Sequence, residues 1–113
     1  MLGMPSLRAF GGEQPAVSDP DFHVYLAFGQ SNMEGFPGIE AQDKEGIDPR
    51  FQMLAAVDFT APGRTQGQWY PAIPPLCRSS TGLCPADYFG RTLVARLPQR
   101  VRVGVVNVSV AGC

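Results

Sequence analysis

Val101-Arg102-Val103-Gly104-Val105-Val106-Asn107-Val108-Ser109-Val110 decides how this chain folds. The segment opens with alternation and becomes an almost continuous β-branched run. A run apolar on both faces is the pattern of a parallel strand covered on both sides. Immediately upstream, residues 86–97 read as a helix. Pro85 sits where a first turn tolerates proline, and Asp87 places negative charge near the amino end. Phe89, Leu93, Val94 and Leu97 share roughly one face, and Pro98 stops the helix. Further back, Phe22-His23-Val24-Tyr25-Leu26-Ala27-Phe28 is apolar and rich in aromatics, too short for a helix and better read as a buried strand. Gly29 ends it, and residues 30–36 are predicted to turn sharply into a short helix. The order is strand, long crossover ending in a helix, strand. A right-handed crossover makes the two strands parallel in one sheet. Both then end on one edge, the edge where open α/β sheets hold their ligands.

The rest of the chain is less regular. Residues 37–85 carry Pro37, Gly38, Pro49, Pro62, Gly63, Gly67, Pro71, Pro74, Pro75 and Gly82, and read as a long decorated excursion. Arg50 to Val57 is expected to form a short helical or extended piece within it. Residues 1–21, with Gly11-Gly12, Pro15 and Pro20, read as an arm or linker, leaving 22–113 as the domain portion. No internal repeat is visible.

Bulk composition excludes several classes. At 113 residues there is room for one small domain, and 44% apolar content is enough for a core. The net charge of -1 offers no field for nucleic acid. No apolar run approaches the ~20 residues that cross a membrane. Met1-Leu2-Gly3-Met4-Pro5 shows no basic stretch followed by an apolar one, so no signal peptide is visible. The 13 Gly and 11 Pro are about a fifth of the chain, short of the disordered regime.

Three cysteines are present, Cys77, Cys84 and Cys113. Cys77 and Cys84 flank a short polar loop, and a local disulfide and two unpaired buried thiols are both open readings. The spacing does not suit zinc, and the one histidine, His23, is remote. No metal or organic cofactor is implied.

Ser31 is the residue best placed for chemistry. A serine at a strand-to-helix turn holds its hydroxyl at the sheet edge, and its own N–H lies where developing negative charge is stabilised. Gly29 permits the turn. On physics alone, most serines that follow a strand are simply helix caps.

Gly29-Gln30-Ser31-Asn32-Met33, followed by Glu34-Gly35, resembles the nucleophile block of the SGNH hydrolase superfamily. More narrowly it is similar to the acetylxylan esterase and sialate O-acetylesterase group, carbohydrate esterase family six. The likeness extends over about residues 20–113. It includes Phe22 to Leu26, Pro49-Arg50-Phe51-Gln52, Trp69-Tyr70, Pro74-Pro75-Leu76-Cys77, Pro85 to Arg91, and the closing Val106 to Cys113. The resemblance implies a three-layer α/β/α (flavodoxin-like) parallel sheet, of which only the first part is present. It implies that Ser31 attacks an acetyl carbonyl and becomes acetylated. It implies oxyanion donors in the backbone N–H groups of Ser31 and Gly112. Many relatives carry Gly-Gly where this chain has Ala111-Gly112, so the first glycine is changed and the needed one kept. Gln30 and Asn32 are candidates to brace the turn or contact substrate; ordinary turn residues are the other reading. Trp69 and Tyr70 are candidates for stacking on a sugar ring, with core packing as the alternative.

The mechanism also needs a general base, in the family a histidine downstream of the second block and oriented by an acidic residue. His23, about a strand length from the carboxyl edge, is not assigned that role. Glu34, Asp43, Asp58 and Asp87 are given no triad role either. Two strands and one helix cover too little apolar surface, so the chain reads as an incomplete, inactive portion, poorly stable alone. The function expected is serine carbohydrate O-acetylesterase, acting on acetylated xylan or a related acetylated sugar, secreted or periplasmic by resemblance. No nucleic acid or membrane partner is expected; the missing C-terminal part is. A non-catalytic carbohydrate-binding or assembly module on a degenerate SGNH fold is the alternative. A two-chain enzyme, with the histidine on a second polypeptide, is a third reading.

Overall fold

The computed structural model describes residues 19–110. The proposed arm, apart from Asp19, Pro20 and Asp21, lies outside the described residues, as do Ala111, Gly112 and Cys113. The elements are β1 (Phe22–Gly29), α1 (Ser31–Glu34), β2 (Phe51–Leu54), β3 (Trp69–Pro71), α2 (Pro85–Arg96) and β4 (Arg102–Ser109), with one 3-10 turn at Ala41–Lys44.

The sheet has four strands in the order β1-β4-β2-β3. β4 lies parallel to both β1 and β2, and β3 runs antiparallel on the outer side of β2. The expected parallel pair, β1 and β4, is therefore present, with Phe22 opposite Arg102 and Gly29 opposite Ser109. The expectation of two strands was too low. The excursion contributes β2, whose Phe51 and Met53 are fully buried, and the three-residue β3 paired to it. Four alternating residues and three flanked by glycine and proline are too short to show a period in sequence.

The residues facing one side of the sheet form the core. Phe51, Met53, Val103 and Val105 pack there with Leu76, Ala86 and Val94. α2 crosses this face closely because position 90 is glycine: a Cβ there would lie 2.1 Å from ring carbons of Phe51. Pro85 opens α2 as expected. Asp87 is fully buried, and its carboxylate accepts the Cys84 N–H at 2.8 Å, so it caps the helix by a hydrogen bond and not by charge alone. At the other end Arg50 donates to the carbonyls of Val94 (2.8 Å), Pro98 (2.8 Å) and Val101 (3.0 Å), joining the start of β2 to the end of α2.

The opposite face is less covered among the described residues. Trp69 and Phe22 meet edge to face there, 4.9 Å between centroids, above Gly104. Beyond them Val24, Leu26, Phe28 and Val108 are exposed, Phe28 to 67%. Among the described residues β1 pairs only with β4, so it is an edge strand and not a buried one. No helix among the described residues is long and apolar enough to cross a membrane.

Candidate active site

Ser31 stands at the carboxyl edge of the sheet, two residues past Gly29, which has φ 156° and a Cβ position 3.2 Å from the Met33 Cβ. The chain then makes a single helical turn. The Gln30 carbonyl accepts from the N–H groups of Met33 (3.0 Å) and Glu34 (2.9 Å), and the Ser31 carbonyl accepts from Gly35 (3.0 Å). The backbone N–H groups of Ser31 and Asn32 find no backbone acceptor among the described residues. They are the unused donors that begin any helix, and one turn supplies these donors with little macrodipole behind them. Ser31 is half-buried, and its hydroxyl makes no hydrogen bond among the described residues.

The bracing of this turn differs from expectation. Neither Gln30 nor Asn32 ties it by a side-chain hydrogen bond among the described residues; both side chains are exposed. The brace comes from β4. Asn107, buried in that strand, donates from Nδ2 to the Met33 carbonyl (2.8 Å), and its Oδ1 accepts from the Ser109 hydroxyl (2.7 Å). A second brace joins Arg78 to Glu34 as an ion pair and to the Ser109 carbonyl at 2.8 Å. Gly35 fastens the loop behind. It has φ 113°, its carbonyl accepts from the Gly82 N–H at 2.8 Å, and a Cβ would sit 2.7 Å from the Gly82 oxygen. Asn107 had a sequence signal, a lone amide inside a valine-rich strand. Arg78, in a polar loop, had none.

Asn32 does line an open cleft of about 360 Å³ together with Phe36, Pro37, Leu83, Cys84 and Pro85. A smaller one, about 160 Å³, lies at the end of β4 between Val57, Cys77, Arg78, Asn107 and Val110. Only the first of these includes a residue of the turn.

The remaining candidates fall elsewhere. Trp69 packs on Phe22, the first residue of β1, and Tyr70 accepts the Thr65 N–H through its hydroxyl (2.7 Å). Neither is brought to Ser31: β3 sits on the far side of β2, and these contacts are structural ones. Cys77 and Cys84 form no disulfide. Each thiol faces its own partner, Cys77 the Ser109 carbonyl (3.4 Å) and Cys84 the Asn107 amide (3.4 Å). Burial, then the neighbouring Asp87, pushes the Cys84 thiol up to about 11. His23 pairs with Val103 near the start of β1, away from the carboxyl edge. The acidic residues have structural partners: Glu34 has Arg78, Asp43 has Tyr88 (2.6 Å), Asp58 has the Gln66 N–H (2.7 Å), and Asp87 caps α2. Gly112 lies outside the described residues. β4, which precedes it in sequence, is paired to the very end of β1, and just beyond it the Val110 N–H donates to the Gly29 carbonyl at 3.2 Å.

The mixed four-stranded sheet with its helices defines a small α/β domain, with Ser31 at the carboxyl edge where such sheets hold ligands. The family model described as carbohydrate esterase, sialic acid-specific acetylesterase matches residues 21–113, and the chain belongs to that family. Membership carries carbohydrate esterase activity as the family's general chemistry and agrees with the SGNH-type nucleophile block. No solved structure matches the chain.

Proposed function

We propose that the protein is a serine O-acetylesterase of acetylated sugars in which Ser31 is the nucleophile. The observation that carries this is the register of β1 on β4. Gly29 opposite Ser109 sends the nucleophile turn and the segment leading to Gly112 off the same sheet edge, side by side. In this reading the Ser31 Oγ attacks the acetyl carbon. The carbonyl oxygen becomes an oxyanion held by the N–H groups of Ser31 and Gly112. Collapse expels the sugar oxygen, which takes the proton that a general base removed from the Ser31 hydroxyl during attack, and leaves an acetyl-serine. Water attacks that ester with the same base removing its proton, releasing acetate and restoring Ser31. The base is none of the residues described here.

Acetylated xylan or an acetylated sialic acid is the substrate class this reading favours, in a secreted or periplasmic setting. The fold is proposed to be the three-layer SGNH arrangement. In that fold the open apolar face, with Val24, Leu26 and Phe28, is covered by a further helical layer. The test is hydrolysis of a chromogenic acetate ester and of acetylated sugars by the full protein. Turnover is expected and should vanish in Ser31→Ala. A Ser31→Ala protein that turns over at the original rate removes the proposal. A wild-type protein that binds acetylated glycans without cleaving them favours a binding module instead.

A further inference from the structure

We infer that Arg78 is a positioning residue that sets the spacing between the nucleophile turn and the end of β4, with Glu34 as its anchor. The inference rests on the esterase reading above.

Arg78 touches both elements at once. One terminal nitrogen meets the Glu34 carboxylate, three residues after Ser31 in α1, and the other donates to the Ser109 carbonyl, the last residue of β4, at 2.8 Å. The guanidinium is planar and its donors are fixed in a fork, so two acceptors on separate elements are held at one separation. The loop carrying it is itself tied down. The Arg78 N–H donates to Thr81 Oγ1 (3.1 Å), Thr81 Oγ1 donates back to the Arg78 carbonyl (2.9 Å), and Leu83 N–H donates to the Pro37 carbonyl (2.8 Å).

Two alternatives fit less well. An arginine beside a cleft can serve as an anion site, but here the charge is met by Glu34 and both terminal nitrogens are engaged. A purely stabilising role is also disfavoured. Glu34 is 7% exposed, and its Oε1 has no hydrogen-bond partner among the described residues. Desolvating the Glu34 carboxylate to meet a half-buried arginine is an inefficient way to gain stability, and apolar residues of similar volume can do as well. What the pair adds is a fixed geometry between the Ser31 turn and Ser109 at the end of β4, the two elements that precede the oxyanion donors in the esterase reading. Misplacing such donors by about 1 Å costs on the order of 100-fold in rate.

The experiment compares Arg78→Lys and the double variant Arg78→Met/Glu34→Leu with wild type in the full protein, reading kcat, KM and melting temperature on an acetate ester. Lysine keeps the charge that compensates Glu34 but cannot span two acceptors; the double variant removes the buried charge altogether. Both are expected to fold and to lose about 10- to 100-fold in kcat with KM within about twofold. Wild-type kcat in either folded variant overturns the positioning role. So does a loss confined to KM. If Ser31→Ala, run alongside, retains turnover, the esterase reading itself falls, a result separable from failure of the Arg78 variants alone.

Discussion

Asn107 and Met33 are joined across 2.8 Å by a hydrogen bond in which the strand side chain donates to a carbonyl of the turn that begins at Ser31. Asn107 is almost wholly buried in an otherwise aliphatic strand. A polar group in such a place is retained only when satisfied. Here one amide serves α1, Cys84 and Ser109 together. Asn107→Leu leaves the Met33 carbonyl and the Ser109 hydroxyl without this partner. The expected loss is about 1–3 kcal/mol, read as a lower urea midpoint at unchanged m. An unchanged midpoint shows that the bond carries no net stability.

The cysteines give a chemical prediction. With Cys84 raised to about 11 by burial and Asp87, and Cys77 also raised by burial, native alkylation at pH 8 should be slow at both. After denaturation without reductant both should alkylate fully, as peptide mass spectrometry would report. A mass two protons short, localised to the peptide spanning Cys77 and Cys84, would contradict the unbridged arrangement.

Arg50 ties the carboxyl end of α2, at Val94, to the segment leading into β4, at Pro98 and Val101, through three backbone carbonyls. Removing it by Arg50→Met should cost about 2–3 kcal/mol, since bonds to a charged donor are the stronger kind. Arg50→Lys should restore only part, because a single ammonium cannot reach the same set. Full recovery with lysine would show that charge at the helix end, and not the fork, is what matters.

Acid sensitivity follows from three carboxylates. Hydrogen bonding from Tyr88 holds Asp43 below its ordinary range, and Arg50 does the same for Asp48. A lowered folded-state pKa stabilises above the unfolded value, near 3.9, and that contribution is lost as pH falls through the folded value. Asp87 runs the other way. Burial raises it, so its contribution is present at low pH and is lost as pH rises through the folded value. Stability should therefore fall from about pH 5 toward pH 2. The fall should flatten in Asp48→Asn and steepen in Asp87→Asn, whose amide oxygen can still cap α2. Equal pH slopes in the three proteins, measured by urea unfolding, would contradict these assignments.

Much of the frame was legible in the residues themselves. The valine run of 101–110 and the aromatic run of 22–28 each announce a strand, and Pro85, Asp87 and Pro98 bracket a helix that the structure ends at Arg96. These signals are local: side-chain shape against an extended backbone, proline at a first turn, an acid near a helix start. The excursion was not legible. β2 is held by its position beside β4 and not by its own pattern, and β3 exists only because β2 is there to pair with it. The aromatic pair Trp69-Tyr70 looked equally suited to sugar and to core, and only the structure shows Trp69 packed on Phe22 over Gly104.

The sequence by itself determined the strand–helix–strand order, the serine at the turn and, through its motif, the esterase family. The tertiary structure alone decided that Asn107 and Arg78, 76 and 47 residues beyond Ser31, are what hold that turn. It also decided that one sheet face lies open and that the two thiols look to different partners. Local patterns record which backbone shape a residue favours. Contacts between distant residues depend on how strands align, and that alignment is written in no single segment.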